Sequence, residues 1–111
     1  GAVMSELLSN IQKLVARGSV RVSAHGFEQL AEDDILFSEL LESLVKARWI
    51  EEYQDYHKGP CVLVLQFTGA HEPVHALWGI ARNAPDDATL ITAYRPDPAR
   101  WTADFLRRRR R

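Results

Sequence analysis

The sequence predicts an α+β fold in which N-terminal helices pack on one face of a four-stranded, mainly antiparallel sheet. Before residue 48 apolar residues recur at helical spacing, whereas from Trp49 onward apolar and polar residues alternate as they do in strands. Short connections between the successive strands favour an antiparallel meander. A chain of 111 residues is long enough to bury one core and too short for two domains.

A single domain is therefore predicted over residues 1–111. The tripeptide Gly1-Ala2-Val3 before Met4 is interpreted as a cloning remnant, so residues 1–4 are expected to be a disordered start. Residues 5–19 form an additional amphipathic helix, with Ser5 as its N-cap and Gly18 as its stop. Residues 20–106 form the core of the domain, and residues 107–111 form a basic tail.

Two further helices are predicted before the sheet. The segment Val20 to Ser23 alternates briefly, either as a short strand or as an extended lead-in. Ser23 then caps a second helix whose first turn holds His25, and a third helix covers residues 36–47. The residues of these helices expected to be buried are Phe27, Leu30, Ala31, Phe37, Leu40, Leu41, Leu44 and Val45.

The four predicted strands cover residues 49–56, 61–67, 73–82 and 89–95, with turns between them. Pro96-Asp97-Pro98 ends the sheet, because proline cannot continue a strand ladder. Trp101 and Phe105 lie four residues apart and favour a short C-terminal helix over residues 99–106.

Composition and cysteine content favour an intracellular globular protein. The chain is 46% hydrophobic and 26% charged, and no apolar run approaches the roughly 20 residues of a membrane span. We expect a cytoplasmic protein with no membrane partner. The one cysteine, Cys61, has no disulfide partner within the chain, and its strand position favours a buried small hydrophobe over a nucleophile.

The net charge of −1 hides an asymmetry along the chain. Residues 1–57 carry ten acids and five bases, whereas residues 58–111 carry five acids and nine bases. Five of these later bases form the terminal run Arg107 to Arg111, a pattern typical of a solvated tail although it can attract phosphate. The folded body therefore gives no strong electrostatic argument for nucleic-acid binding.

His25 is the candidate acid or base of this chain. Its place at a helix N-terminus, where a phosphate is readily bound, suits a side chain that exchanges a proton with a substrate. The alternative is a surface or capping histidine with a purely structural role.

The last strand supplies the other candidates. Alternation along this strand sends Leu90, Thr92 and Tyr94 to one face and Ile91, Ala93 and Arg95 to the other. Arg95 has the bidentate fork that binds phosphate or carboxylate, and Tyr94 can donate a hydrogen bond or stack on a base. Alternatively, Arg95 pairs with Asp97 or a helix carboxylate, Tyr94 packs at the sheet edge, and Thr92 is an ordinary strand residue.

No cofactor is predicted. His71 and His75 have a helical ligand spacing but fall in a turn and a strand, with no third ligand nearby, so metal binding is weakly supported. The sequence contains neither a glycine-rich phosphate loop nor a G-x-S-x-G motif.

Three segments resemble the bacterial domain-of-unknown-function family four-two-five-eight. They are Val22-Ser23-Ala24-His25 before a helix, Ile50-Glu51-Glu52-Tyr53, and Ile91-Thr92-Ala93-Tyr94-Arg95-Pro96-Asp97-Pro98. This family is similar to a group of helix-then-four-strand ribonuclease-like domains that includes the RelE and BrnT toxins. The resemblance implies a site at an early-helix histidine and at polar or basic residues of the last strands, which are His25, Thr92, Tyr94 and Arg95 here.

The chemistry implied by the resemblance is metal-independent RNA cleavage. His25 would be the base or acid, Arg95 the phosphate clamp, and Tyr94 or Thr92 the positioning group. The expected partners are RNA, an antitoxin or other protein, and a second copy of the chain. The N-terminal helix covers the sheet, forms a dimer contact or binds a partner. The alternative function is a non-catalytic protein-interaction module of the same fold. We expect His25 and Arg95 to meet in one solvent-open cleft. Such a cleft would favour the enzyme, whereas a salt bridge that buries either residue would favour the interaction module.

Overall fold

The computed structural model describes residues 5–110, so the predictions for residues 1–4 and Arg111 lie outside it. Three helices, α1 Glu6–Ala16, α2 Ala24–Glu32 and α3 Phe37–Ser43, lie in the first half, and a 3-10 turn at Leu44–Lys46 follows α3. The strands are β1 Val20–Val22, β2 Arg48–Tyr53, β3 Cys61–Thr68, β4 Glu72–Gly79 and β5 Ala88–Tyr94. No helix within residues 5–110 is long and apolar enough to cross a membrane.

The sheet has five strands in the order β1-β5-β4-β3-β2. The α+β class is confirmed, but the prediction of a four-stranded, mainly antiparallel sheet is wrong. The short strand β1 pairs in parallel with β5, with Val20 opposite Ala88, whereas the other neighbouring strands are antiparallel. Because the partner of β1 lies at the far end of the sequence, no local pattern distinguished this strand from an extended lead-in.

The predicted C-terminal helix is also wrong. Residues 99–106 form turns, and Phe105 has a φ of 61°, outside the helical region. The Asp104 carboxylate accepts hydrogen bonds from the Thr102 hydroxyl (2.6 Å) and from the Leu106 backbone N–H (3.1 Å). Such local side-chain bonds stabilise a turn in place of a helix.

The helices cover one face of the sheet, and the C-terminal segment, residues 96–110, covers part of the other, which we call the outer face. The main core joins Leu7, Ile11 and Leu40 to strand residues such as Val62 and Trp78. A smaller core on the outer face has the following members: Ile50, Leu63, Leu65 and Trp101, with Phe67, Leu77, Phe105 and Leu106 packed against it. The sheet therefore has apolar residues on both faces.

Burial was predicted correctly for Leu30, Leu40 and Leu44, and Phe37 and Leu41 are partly buried against the same core. The prediction is wrong for Phe27, Ala31 and Val45, which are exposed. Phe27 is 70% exposed and Val45 is 76% exposed. The helix α2 packs along β5 and buries Gly26 and Leu30, which lie four residues apart on one narrow stripe. Phe27 lies off that stripe and therefore faces solvent.

A β-bulge at Ile91 changes the alternation expected along β5. Leu90 lies opposite Trp78 and Thr92 opposite Leu77, so Ile91 is an extra residue. Leu90 consequently joins Ala93 in the helix-side core instead of sharing a face with Thr92. Thr92 and Tyr94 remain on the outer face, opposite Leu77 and His75.

Candidate functional site

The bulge in β5 fixes the start of α2. The Ser23 hydroxyl accepts a hydrogen bond from the Gly26 N–H (2.9 Å) and donates one to the Ile91 carbonyl (2.8 Å). The Ser23 N–H also donates to the Leu90 carbonyl at 3.0 Å. The predicted N-cap Ser23 therefore caps the start of α2 and also joins this helix to β5.

Gly26 allows the close approach of α2 to β5. A Cβ at this position would lie 2.9 Å from the Leu90 carbonyl oxygen and 3.1 Å from that of Ile91. Real Cβ atoms essentially never approach another atom within 3.0 Å, so any larger residue must push the helix away. With Gly26 against the strand, the neighbouring His25 side chain is exposed to solvent.

His25 lines a cleft of about 480 Å³, which we call the His25 cleft. Its walls are the outer-face residues at one end of β1 and β5, the loop after β2 and the loop after β4. The charged and polar side chains that line it are Arg21, Ser23, His25, Tyr56, Lys58, Asn83 and Thr89. Among the described residues that line this cleft there is no aspartate or glutamate, so an anion would meet only cationic and neutral groups.

Strand pairing and a loop hydrogen bond fix the backbone that carries the two cations of the His25 cleft. Arg21 lies opposite Thr89 in the parallel pair of β1 and β5. The carbonyl of Lys58 accepts a hydrogen bond from the Arg82 N–H at 2.9 Å. Gly59, with a φ of 127°, packs so tightly on the Ile80 carbonyl that a Cβ would overlap it. The backbone on each side of the cleft is therefore fixed.

Thr89 adds a neutral group to the same wall. Its side chain is 7% exposed, and its hydroxyl has no hydrogen-bond partner within residues 5–110. A buried hydroxyl without a partner is costly, so a ligand oxygen or a water that reached it would gain a hydrogen bond.

Arg95 lies at the opposite end of α2 from His25. Its guanidinium donates hydrogen bonds to the carbonyls of Asp33 (3.1 Å) and Asp34 (3.2 Å), and pairs with the Glu72 carboxylate at 3.2 Å. From His25 to Asp33, α2 rises by about 12 Å. The expected meeting of His25 and Arg95 in one cleft is therefore wrong, because the start of α2 lies beside Ile91 and its end beside Arg95.

Tyr94 and Thr92 lie on the outer face and do not line the His25 cleft. The Tyr94 hydroxyl is 3.2 Å from Nδ1 of His75, whose Nε2 is 2.8 Å from the Phe105 carbonyl. Burial raises the pKa of Tyr94 and lowers the pKa of His75. Thr92, half-buried, lies between the His25 cleft and Tyr94 along the strand.

A second concave surface, the arginine groove, follows the end of β5. This groove of about 700 Å³ is lined by Tyr94, Arg95, Asp97, Ala99, Arg100, Trp101, Arg108, Arg109 and Arg110. The Arg109 N–H donates to the Arg100 carbonyl at 2.8 Å, and the Arg108 guanidinium lies 4.9 Å from the centre of the Trp101 ring. The arginines expected in a solvated tail therefore belong, through Arg110, to the folded surface.

Sequence reasoning did not select four of the polar residues around the His25 cleft. Arg21, Tyr56, Lys58 and Asn83 are separated along the chain and meet only through strand pairing and loop packing. The one available signal is the Lys58-Gly59-Pro60 segment, from which the sequence predicts a turn but not a cation that lines a cleft.

The described residues give less support to a metal site or to a cysteine nucleophile. Within residues 5–110 no group of three or more histidine, cysteine or acidic side chains is arranged to hold a metal ion. Cys61 is buried in β3, and burial raises the pKa of its thiol, which disfavours the reactive thiolate.

The family described as Domain of unknown function (DUF4258) matches residues 22–95. The chain belongs to the DUF4258 family. The match begins at the end of β1 and ends at Arg95, so the DUF4258 region contains His25, Thr92, Tyr94 and Arg95, whereas α1 and the C-terminal segment lie outside it. Comparisons with curated proteins and with solved structures give no match. The resemblance of this DUF4258 protein to RelE and BrnT is not confirmed, and its protein partners stay a prediction.

Proposed function

We propose that this DUF4258 protein cleaves RNA without a metal ion, by attack of a ribose 2′-hydroxyl on the adjacent phosphate. The observation that carries the proposal is the His25 cleft, in which an exposed imidazole shares one cavity with Arg21 and Lys58, and in which none of the described lining residues carries a carboxylate. An imidazole exchanges a proton at physiological pH, and the two cations suit a phosphate.

In the proposed reaction His25 acts as the general base. It removes the proton of the 2′-hydroxyl, and the resulting oxygen forms a bond to phosphorus as the bond from phosphorus to the 5′-oxygen breaks. The products are a 2′,3′-cyclic phosphate and a 5′-hydroxyl that takes its proton from water. Lys58 and Arg21 stabilise the additional negative charge on the phosphoryl oxygens in the transition state.

Lys58 and Arg21 replace Arg95 in the role of phosphate clamp. Arg95 is bound to the C-terminal end of α2 and to Glu72, and this supports a structural role in holding the helix against β5. Tyr56 and Asn83 border the same cavity, where an aromatic ring can stack on an unpaired base and an amide can bind a base edge.

The test is cleavage of a single-stranded RNA oligonucleotide by purified protein in the presence of EDTA. We expect fragments ending in a 2′,3′-cyclic phosphate, identified by mass spectrometry, and no cleavage of the same strand with 2′-fluoro sugars, which lack the attacking hydroxyl. Because positioned proton transfer contributes about 10²- to 10⁴-fold to a rate, His25→Asn should reduce cleavage by that factor.

His71→Asn is the matched control. His71 is exposed, lies in the turn at the opposite end of the sheet and has a φ of 62°, which asparagine tolerates. It should cleave like the wild type. Full activity of His25→Asn would remove the assigned role of His25. Absence of cleavage by the wild type at any salt concentration would favour the non-catalytic interaction module.

A further inference from the structure

We propose that the arginine groove and the His25 cleft are the two ends of one path along which the protein binds single-stranded RNA, following the outer face of β5. The inference deepens the proposed ribonuclease function and rests on it for the identity of the substrate. It adds a binding surface that lies largely outside the region matched by the DUF4258 family.

The strand β5 connects the two concave surfaces. Thr89 and Ile91 line the His25 cleft, and Tyr94 lines the arginine groove. From Ile91 to Tyr94 the strand advances by about 10 Å. Because of the bulge, Ile91 and Thr92 are both on the outer face: a Cβ on Gly79 would lie 3.0 Å from Cδ1 of Ile91, and Thr92 pairs with Leu77.

The charge of the groove suits a polyanion. Glu72 pairs with Arg95 and Glu51 pairs with Arg108, whereas Arg100 is 81% exposed at its side chain and only approaches Asp97, at 3.8 Å. No carboxylate within residues 5–110 forms an ion pair with Arg109 or Arg110. Arg100, Arg109 and Arg110 are therefore the cations available to phosphates.

The backbone that carries these arginines is ordered by its own hydrogen bonds. Thr102 and Arg109 donate backbone hydrogen bonds to Arg107 and Arg100 respectively, each at 2.8 Å, and Nε of Arg109 donates to the Pro98 carbonyl at 3.0 Å. A surface ordered before binding loses less conformational entropy when a ligand binds than a loose tail would. These contacts favour a groove of defined shape.

Single-stranded RNA is the occupant that fits both ends of the path. A positively charged groove that follows a sugar–phosphate backbone is the usual means of binding an unpaired strand. The proposed chemistry at the other end needs a ribose 2′-hydroxyl in line with the bond that breaks, a geometry that an unpaired nucleotide reaches more easily than one held in a helix. An acidic protein could bind in the arginine groove, but it has no ribose 2′-hydroxyl for the reaction proposed in the His25 cleft.

The experiment measures binding of fluorescein-labelled 2′-fluoro RNA strands of two to twelve nucleotides by anisotropy, because these strands cannot be cleaved. We expect affinity to rise with length and to level off before about twelve nucleotides, within the range of about 4–16 nucleotides that a single-strand-binding fold typically covers. Arg100→Gln with Arg110→Gln should weaken binding of the long strand by about tenfold or more at 0.1 M salt. The slope of log K against log salt concentration should fall by about 1.4, since two phosphate contacts are lost.

The matched control neutralises two exposed cations on the other side of the sheet, one in α1 and one at its C-cap, with Lys13→Gln and Arg17→Gln. This double variant should bind like the wild type. Unchanged binding by Arg100→Gln with Arg110→Gln would overturn the path, as would equal affinity for an RNA duplex of the same length. Competition by polyglutamate of equal charge as effective as that of RNA would overturn the choice of RNA.

These outcomes separate the path from the proposed reaction. A wild-type protein that binds the 2′-fluoro strands through Arg100 and Arg110 but cleaves no RNA would keep the path and remove the ribonuclease function. The opposite result has two parts: the wild type cleaves RNA while His25→Asn does not, and Arg100→Gln with Arg110→Gln binds RNA normally. This result would keep the ribonuclease function and remove the path.

Discussion

Two histidines of this chain illustrate how differently the fold uses one residue type. His25 is exposed at the start of α2, whereas His75 is fully buried on the outer face, between the Tyr94 hydroxyl and the Phe105 carbonyl. The His75 ring also lies edge-on to Trp101, with ring centres 4.3 Å apart. His75 therefore connects the sheet to the C-terminal segment and is not placed to meet a substrate.

The buried His75 should make stability depend on pH. Burial lowers the pKa of His75, helped by the charge of Arg108, so below about pH 6.5 the unfolded chain binds a proton that the folded protein does not. This contribution to the free energy of unfolding is complete above the unfolded pKa and is lost as the pH falls toward the folded pKa. Urea denaturation between pH 7 and pH 5 measures it.

His75→Gln keeps polar atoms for both hydrogen bonds and should flatten this dependence, whereas His71→Asn should retain it. The pKa values of Glu51 and Glu52 are lowered from their ordinary value of 4.5. These two groups therefore change the free energy of unfolding mainly at lower pH than the range measured for His75. An unchanged slope in His75→Gln would show that another group is responsible.

At the scale of elements, α2 is held at both ends by β5 and the residues that follow it. At the start of α2 the Ser23 hydroxyl donates a hydrogen bond to the Ile91 carbonyl. At its C-terminal end the Arg95 guanidinium donates hydrogen bonds to the carbonyls of Asp33 and Asp34. A nine-residue helix is too short to be stable alone in water. The orientation of His25 therefore depends on the contacts that fasten α2 to the strand.

Gly26→Ala tests this dependence. At an open helix position this change stabilises by about 1 kcal/mol, because alanine is the better helix former. Here the added Cβ would collide with the Leu90 carbonyl, and we expect a loss of about 1–3 kcal/mol in the free energy of unfolding. Urea denaturation would measure it.

Ala31, exposed on the same helix, provides the comparison for Gly26→Ala. Ala31→Gly should cost about 1 kcal/mol, as helix propensity alone requires. A stabilised Gly26→Ala protein would mean that α2 moves freely relative to β5.

At the scale of the whole molecule, the sheet is covered on the helix side by α1, α2 and α3 and on part of the outer face by the C-terminal segment. Trp101 is the buried residue through which that segment joins the smaller core with Ile50, Leu63 and Leu65. The segment also carries the arginine groove. Folding of the outer face and formation of the groove are therefore linked.

Trp101→Ala should lower the free energy of unfolding by about 3–5 kcal/mol, the usual range for removal of a buried aromatic side chain. Phe27→Ala is the matched aromatic control, because Phe27 is 70% exposed and its loss should change stability by less than about 0.5 kcal/mol. Thermal and urea denaturation measure both. Equal stabilities of the two variants would contradict the role of the C-terminal segment as a structural layer.

The sequence by itself determined the elements whose causes are local. Helical spacing, the Ser5 and Ser23 caps and the alternation along strands depend on neighbours within a few residues. The bounds of α1 and of β2 to β5 were therefore predicted close to those observed, and α2 was predicted at its observed start. The same reasoning identified His25 at a helix start.

Only the tertiary structure decided the fifth strand, the bulge at Ile91 and the course of residues 96–110. It also decided which residues line the cleft with His25. Each depends on pairing between segments far apart in sequence, and local propensity carries no information about such partners. Arg21 and Lys58 meet His25 because β1 pairs with β5 and the loop after β2 packs on the end of β4. Arg95 stays at the other end of α2 because helix and strand run side by side in the same direction.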